Sequence, residues 1–317
     1  MAELSIVIPV YNSAEILPLL IERIEPVLRQ TGASFELVLV NDGSKDNSWA
    51  VMRRLHESYS WISAINMMRN FGQHPALLCG IRAATGKTIV TMDDDLQNPP
   101  EEIPKLLGKL NEGYQLVYGI PRSDQHAFWR NAASAMVKLS LRQAMGVKVA
   151  NQTSTYRAFR THLRDAFSAY QSPFVSIDVL LSWGTTNITG IFVEHAARKL
   201  GTSQYDVYRL FVHAITMLTG FSTLPLRLAS IAGFIASVFG LIVLAFVVVR
   251  FLIAGTSMPG FPFLASIVAI FGGLQLFALG IIGEYLARMH FRMLDRPPYV
   301  VDEVLAADAA EGASNGS

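Results

Sequence analysis

The chain has 317 residues and a formal net charge of +1, a balance that gives no case for a nucleic-acid partner. Hydrophobic residues make up 51% and charged residues only 16%, too apolar a mix for a purely soluble protein. The single cysteine, Cys79, excludes an internal disulfide and fits a reducing compartment.

The first residues contain no basic segment followed by a long apolar run, so no signal peptide is expected. Leu4 to Val10 reads as a strand, followed by a helix from Ile16 to Gln30. Phe35 to Val40 is a second strand, with a helix near Ser48 to Ser58. Ile62 to Met67 is a third, followed by a helix around Pro75 to Ala84 and a strand from Thr88 toward Asp93. This alternation predicts an α/β domain with a mostly parallel sheet and covering helices. From about 125 to 200 the pattern is mixed, with a helix around Trp129 to Met145 and strand-like pieces at Thr155 to Phe159 and Ile188 to His195.

Between Asp206 and Leu218, the residues Val207, Leu210, Phe211, Ala214 and Leu218 share one helical face. That helix either lies on a membrane surface or packs on the α/β domain or a neighbouring subunit. Leu228 to Val249 carries no charge, and a second apolar run extends from Phe261 to Ile282. Each is long enough to cross a hydrocarbon core of roughly 30 Å. Arg250 to Gly260, with Gly255 and Pro259, reads as a short hairpin loop. Arg227 precedes the first span, and Arg288, Arg292 and Arg296 follow the second, so both termini are expected on the cytoplasmic side of a plasma (inner) membrane. The tail after Glu303 is rich in Ala, Gly, Ser, Asp and Glu and is expected to be disordered. The predicted organisation is an α/β domain over 1–202, a juxtamembrane amphipathic helix over 203–226, a two-helix hairpin over 227–287 and a cytoplasmic tail over 288–317.

The most informative stretch is Thr91-Met92-Asp93-Asp94-Asp95-Leu96-Gln97-Asn98-Pro99-Pro100. A buried strand that stops in carboxylates delivers them to the C-terminal edge of the sheet, where open α/β sheets hold ligands. By strand alternation Asp93, Asp95 and Gln97 point one way and Asp94 the other. Two carboxylates and an amide oxygen form a hard-oxygen set suited to Mg2+ or Mn2+. An acidic turn leading into the helix that starts at Pro99-Pro100-Glu101-Glu102 is the plainer alternative. The first strand ends in Pro9-Val10-Tyr11-Asn12 and the second in Asn41-Asp42-Gly43-Ser44-Lys45-Asp46, polar tips that fall on the same edge if the sheet is parallel. Taken alone, Asp42-Gly43 is also a common turn.

Together these segments, with Arg69-Asn70-Phe71-Gly72, resemble in order and spacing the family 2 glycosyltransferases of the GT-A fold. Among those, the chain is most similar to the polyprenyl-phosphate glycosyltransferases, such as dolichol-phosphate mannose synthase and the bacterial undecaprenyl-phosphate sugar transferases. The likeness extends through the two C-terminal membrane helices. It implies that Pro9, Tyr11, Asn12, Asp42, Asp94 and Asp95 form the nucleotide-sugar site. It implies that Asp93, Asp95 and Gln97 meet Mg2+ or Mn2+, and that Arg122, Arg130, Ser134 and Arg198 face the acceptor phosphate. Asp93, Asp95, Arg122 and Arg130 are then the catalytic set. Read without the likeness, Arg130 is a solvated helix charge. The implied partners are a UDP-sugar, polyprenyl phosphate, the bilayer and further copies of the chain, a tetramer by resemblance.

The sequence departs from many relatives at two places. Asn151 stands where they have Asp, and Ser203-Gln204-Tyr205 where they have Ser-Lys-Tyr, leaving Arg198 and Lys199 as substitute cations. A phosphate monoester is already anionic near neutral pH, so an acceptor of that kind hardly needs a base. Two other functions compete. A processive polysaccharide synthase usually carries Gln-x-x-Arg-Trp and more spans, and this chain has neither. A membrane-anchored nucleotide-sugar binder without catalysis is made thinkable by Asn151, against the intact Asp93, Asp95 and Gln97.

Overall fold

The computed structural model describes residues 2–121, 153–195, 223–254, 260–294 and 296–307. The expectations for Arg122, Arg130, Ser134, Asn151, Arg198, Lys199 and the helices at 129–145 and 206–218 lie outside these residues.

Eight strands form one sheet. In chain order they are β1 (Leu4–Val10), β2 (Phe35–Asn41), β3 (Ile62–Met67), β4 (Thr88–Thr91), β5 (Leu116–Pro121), β6 (Arg157–Arg160), β7 (Ile188–Val193) and β8 (Val301–Leu305). Their spatial order is β7-β5-β6-β4-β1-β2-β3-β8. The four strands β3, β2, β1 and β4 run parallel, while β6 and β8 run against their neighbours. β1 and β2 are buried along their whole length and read as nearly continuous apolar runs rather than alternating ones, broken by Ser5 and Glu36, whose side chains bond to each other at 2.5 Å. The helices α1 (Leu17–Gln30), α2 (Ser48–Ser58), α3 (Gln73–Ala83), α4 (Ile103–Asn111) and α5 (Ile177–Gly184) cover the sheet. One apolar cluster joins Ile6, Ile8 and Leu39 to Ile21 and Ile24 of α1, and the other joins Val7, Val38 and Val40 to Leu77 and Leu78 of α3. Cys79 lies in the second cluster, where burial pushes its thiol up to about 12 and leaves it unreactive.

The chain leaves β1 for β2 and β3 on one side, then returns to β4 on the other. The tips of β1 and β4 therefore flank the point where the order reverses, the place where sheets of this kind open a crevice.

Two strands differ from the sequence reading. β5 was not expected, because Gly119 and Pro121 lower the strand signal of Leu116–Pro121. Gly119 is there for space: a Cβ would stand 3.0 Å from the Tyr156 ring and 3.2 Å from Val193. β8 corrects the expectation of disorder after Glu303 for its first residues. Val304 and Leu305 pair with Ile65 and Ala64, and Ala307 N–H donates to Ser63 Oγ at 3.0 Å. Asn66 Nδ2 donates to Asp302 Oδ2 at 3.0 Å, Met68 N–H donates to Val300 O at 3.0 Å, and Arg53 pairs with Glu303. The α/β domain is thus assembled from both sides of the hairpin.

That hairpin consists of α6 (Leu224–Ala254) and α7 (Phe261–Met293). At 31 and 33 residues they measure about 46 and 50 Å, well beyond the hydrocarbon thickness of roughly 30 Å. Their apolar windows are Pro225–Arg250 and Ile270–His290, with mean hydropathy 2.8 and 1.6, and neither window is buried within the protein. Phe234, Leu241, Leu276 and Phe277 project outward, as lipid-facing side chains do.

Gly43 marks the tightest approach between loops. Its φ is +60°, and a Cβ there would lie 2.4 Å from both Arg69 C and Asn70 N. Gly43→Ala is therefore expected to cost about 2–3 kcal/mol, near the top of the ordinary range for point changes. A thermal melting midpoint within about 2 °C of the wild type would show that this contact does not limit stability.

Candidate active site

The parallel core puts four loops on one edge: 11–16 after β1, 42–47 after β2, 68–72 after β3 and 92–99 after β4. Side-chain and backbone hydrogen bonds stitch them together. Asn12 N–H donates to Ser44 Oγ at 3.0 Å, and Asn12 Oδ1 accepts from Lys45 N–H at 2.8 Å. Ser13 N–H donates to Ser48 Oγ at 2.9 Å and Ala14 N–H to Asp46 Oδ2 at 3.1 Å. The φ of Asn12 is +55°, a left-handed conformation that asparagine tolerates better than most residues. Between the first two loops lies an open hollow of about 690 Å³ lined by Asn12, Ser13, Lys45 and Asp46.

β4 ends at Thr91, so the three aspartates sit on a turn rather than on the strand itself. Leu96 adopts φ +58°, unusual for a bulky side chain and of the kind that clusters where function fixes the backbone. Asp93 and Asp94 have different partners, and strand alternation does not govern them here because they lie beyond the end of β4. Asp93 Oδ1 accepts from Gln73 Nε2 and Oδ2 from Thr155 Oγ1, both at 2.6 Å. Asp94 Oδ2 accepts from Ser13 Oγ at 2.5 Å and Tyr11 N–H at 3.2 Å, which ties the turn to the tip of β1. Asp95 Oδ1 accepts from Gln97 N–H at 3.1 Å. Burial is the main reason that the Asp93 carboxyl is pushed above the usual range, and the charge of Asp95 adds to it. Burial likewise pushes Asp94 up to about 6.

Each residue singled out in the sequence can now be placed. Pro9 is buried at the end of β1, Tyr11 is exposed at the crevice, and Asn12 lines the hollow. Asp42 is 3% exposed, and its two oxygens accept from Phe71 N–H at 2.7 Å and Gly72 N–H at 2.9 Å. Its carboxyl, pushed up to about 6 by burial, holds the 69–72 loop in place. Asp93, Asp94, Asp95 and Gln97 lie together on the β4 turn.

Below the turn is a charged group that the sequence reading passed over. Arg157 of β6 is fully buried, donates from Nε to Thr91 Oγ1 at 3.1 Å and pairs with Asp178, which also accepts from Tyr118 OH at 3.0 Å. The Arg157 charge opposes the rise of Asp93. Gln73 and Thr155 were missed as well, and only their nearness to quoted motifs could have drawn notice.

No three His, Cys, Asp or Glu side chains among the described residues converge as a metal cage. Asp93 and Asp95 place two carboxylates on one part-buried turn, which could hold a Mg2+-type ion that takes its remaining ligands from waters and substrate phosphates. The mutual charge of the two aspartates is what a divalent cation would relieve.

Residues 5–168 match the model of glycosyl transferase family 2. The chain is 35% identical over 308 residues to an undecaprenyl-phosphate 4-deoxy-4-formamido-L-arabinose transferase of Pseudomonas syringae pv. syringae, covering 96% of this chain and 91% of that one. It is 34% identical over 312 residues to a Yersinia enterocolitica protein of the same name, covering 98% and 95%. Among solved structures, it is similar to glucosyl-3-phosphoglycerate synthase from Mycobacterium tuberculosis in complex with Mn2+, UDP and glucosyl-3-phosphoglycerate. The TM-score is 0.51 at 18% identity, covering 69% of this chain and 80% of that one, a likeness of fold.

Proposed function

Since the chain belongs to glycosyl transferase family 2, we propose that it moves a sugar from a UDP-sugar to undecaprenyl phosphate, with inversion at the anomeric carbon. The product is a polyprenyl-phospho-sugar in the cytoplasmic leaflet of the inner membrane. The observation that carries this reading is the Asp93–Asp95 turn at the point where the strand order reverses, beside the Tyr11 and Asn12 tip. Near-full-length likeness to undecaprenyl-phosphate sugar transferases supports the lipid acceptor.

In this mechanism the nucleotide lies in the crevice at Tyr11 and Asn12, with Asp42 shaping its wall through the 69–72 loop. Asp93, Asp95 and Gln97 would hold Mg2+ or Mn2+, which when bound supplies positive charge for the departing diphosphate. Arg122, Arg130, Ser134 and Arg198 orient the acceptor phosphate, since guanidinium forks match phosphate oxygens. An already anionic acceptor attacks without a general base, so Asn151 is compatible with turnover. Holding both anionic substrates in line converts the encounter into a positioned displacement. The working form is taken to be a homo-oligomer, a tetramer by family resemblance, with domain and termini cytoplasmic.

The test is a panel of nucleotide sugars offered with undecaprenyl phosphate in membranes, the lipid product being identified by mass. The names of the relatives make a UDP-linked 4-deoxy-4-formamido-L-arabinose the first donor to try. A polymeric product would favour a processive synthase, and UDP-sugar binding without product would favour a binder. Arg130→Ala is expected to raise the KM for lipid phosphate ten- to a hundred-fold, as loss of a charge-assisted contact of about 1.5–3 kcal/mol predicts. A selective loss of donor affinity would put this arginine on the other substrate.

A further inference from the structure

Asp93 is held from two sides by side chains to which the mechanism above gives no part. Thr155 Oγ1 donates to its Oδ2 and Gln73 Nε2 to its Oδ1, both at 2.6 Å. A carboxyl otherwise turns readily about its last side-chain bond, a broad and roughly two-fold rotation. One donor on each oxygen fixes the plane of the group. An ionised carboxylate offers about four acceptor directions, so each oxygen keeps one beside the hydrogen bond that it already accepts. Those remaining directions are the ones a cation would meet.

The two donors are themselves held in place. Thr155 stands just ahead of β6, and its carbonyl accepts from Thr91 Oγ1 at 2.7 Å. Thr91 and Arg157 are register partners on β4 and β6, both fully buried, and Arg157 Nε donates to Thr91 Oγ1 at 3.1 Å. The next residue after Thr155, Tyr156, donates from its hydroxyl to Pro99 O at 3.0 Å. The 155–157 segment therefore grips the acidic turn at both ends, at Asp93 and at Pro99. Gln73 arrives from another element. It opens α3 directly after Gly72, whose φ is +102° and whose N–H donates to Asp42 Oδ2 at 2.9 Å. Asp42 thus fixes the loop that aims Gln73 at Asp93. A turn that only had to close could rely on local bonds such as Gln97 N–H to Asp95 Oδ1. Here two side chains from segments 20 and 62 residues away converge on one carboxylate. Side chains that bind keep their geometry when outer hydrogen bonds of this kind lock them.

We propose that Thr155 and Gln73 are positioning residues that hold the Asp93 carboxylate in one orientation toward the divalent cation. This role rests on the reading of Asp93 as a metal ligand, and it reaches the transfer reaction only through Asp93. Partners of metal ligands commonly contribute about ten- to a hundred-fold in metal affinity.

The test is Mn2+ binding to the full-length chain in detergent with UDP present, read from the electron paramagnetic resonance signal of free Mn2+, with a melting curve for every variant. Thr155→Val keeps the shape and removes the hydroxyl, and Gln73→Leu removes the amide from an exposed side chain. Each should raise the Kd for Mn2+ at least about tenfold, while Thr155→Ser returns it close to the wild-type value. Thr161→Val is the comparison, since Thr161 Oγ1 donates to Gly86 O beyond the opposite end of β6, and its Kd should not move. A wild-type Kd in Thr155→Val or in Gln73→Leu overturns the proposal. So does Thr155→Ser binding as weakly as Thr155→Val, or an equal rise in Thr161→Val. Should Thr155→Val fail to melt cooperatively, Gln73→Leu decides. Wild-type binding of Mn2+ beside unchanged variants sinks the clamp and leaves the metal reading standing. A wild type that binds no Mn2+ overturns the metal reading and the clamp together.

Discussion

Asp95→Asn is expected to abolish nearly all sugar transfer while the protein stays folded. Asp95 sits on the part-buried turn after β4, and its Oδ1 accepts from Gln97 N–H, a bond that an asparagine carbonyl can also accept. Removing the charge therefore costs the fold little. It takes away one of the three carboxylates, Asp93, Asp94 and Asp95, that this turn carries. Changing a residue that merely supports a metal ligand commonly costs ten- to a hundred-fold, so losing a ligand should cost at least about a hundredfold in turnover. The checks are a melting curve, a UDP-binding isotherm with and without Mn2+, and a transfer rate at saturating Mg2+. Turnover close to wild type by a folded variant would sink the metal assignment.

A chain that stops at Thr202 should lose most activity on long-chain lipid while still binding UDP. The pocket is built from the ends of β1, β2 and β4, all upstream of the cut. The hairpin confines enzyme and acceptor to one thin layer, which raises their effective concentration. The loss should be smaller with a short, water-soluble polyprenyl phosphate. The same cut also removes β8 and uncovers the N–H and C=O groups of β3 from Ala64 to Met67. An unpaired edge of that kind invites association between molecules. The truncated protein is accordingly expected to grow in scattering mass with concentration, and the full chain in detergent is expected to hold a constant mass. Full-rate glycosylation of long-chain lipid by a folded truncation would show that the spans take no part in presenting the acceptor. Failure of the folded truncation to bind UDP would show that the pocket needs residues beyond 202.

Much of the parallel core was legible because its strands are long, apolar and buried on both faces. Leu4–Val10 and Phe35–Asn41 leave little room for another reading. The Asp93–Gln97 turn was legible because charge follows directly on an apolar strand. The partners of that turn were not. Gln73, Thr155 and Ser13 reach the aspartates from segments 20, 62 and 81 residues away, and nothing local marks such distant bonds. Asp42 was read for its Asp-Gly setting alone, and the bonds by which its oxygens accept the backbone of the next loop were not legible. β8 escaped notice because Val301–Leu305 carries Asp302 and Glu303 in five residues and adjoins a tail of disorder-like composition. Those acidic residues find Asn66 and Arg53 only after the sheet has formed.

β8 also sets an order of events during synthesis. The ribosome delivers β3 more than 200 residues before its antiparallel neighbour, with both membrane helices in between. While the hairpin is being inserted, β3 is still the open margin of the nascent sheet. The sheet can close only when the last residues emerge and fold back from the bilayer. Completion of the sheet thus reports that the hairpin has been made and turned back to the side where the domain began. A chain whose second helix failed to insert, leaving its C-terminus across the membrane, would keep that margin open and be recognisable to quality control as unfinished.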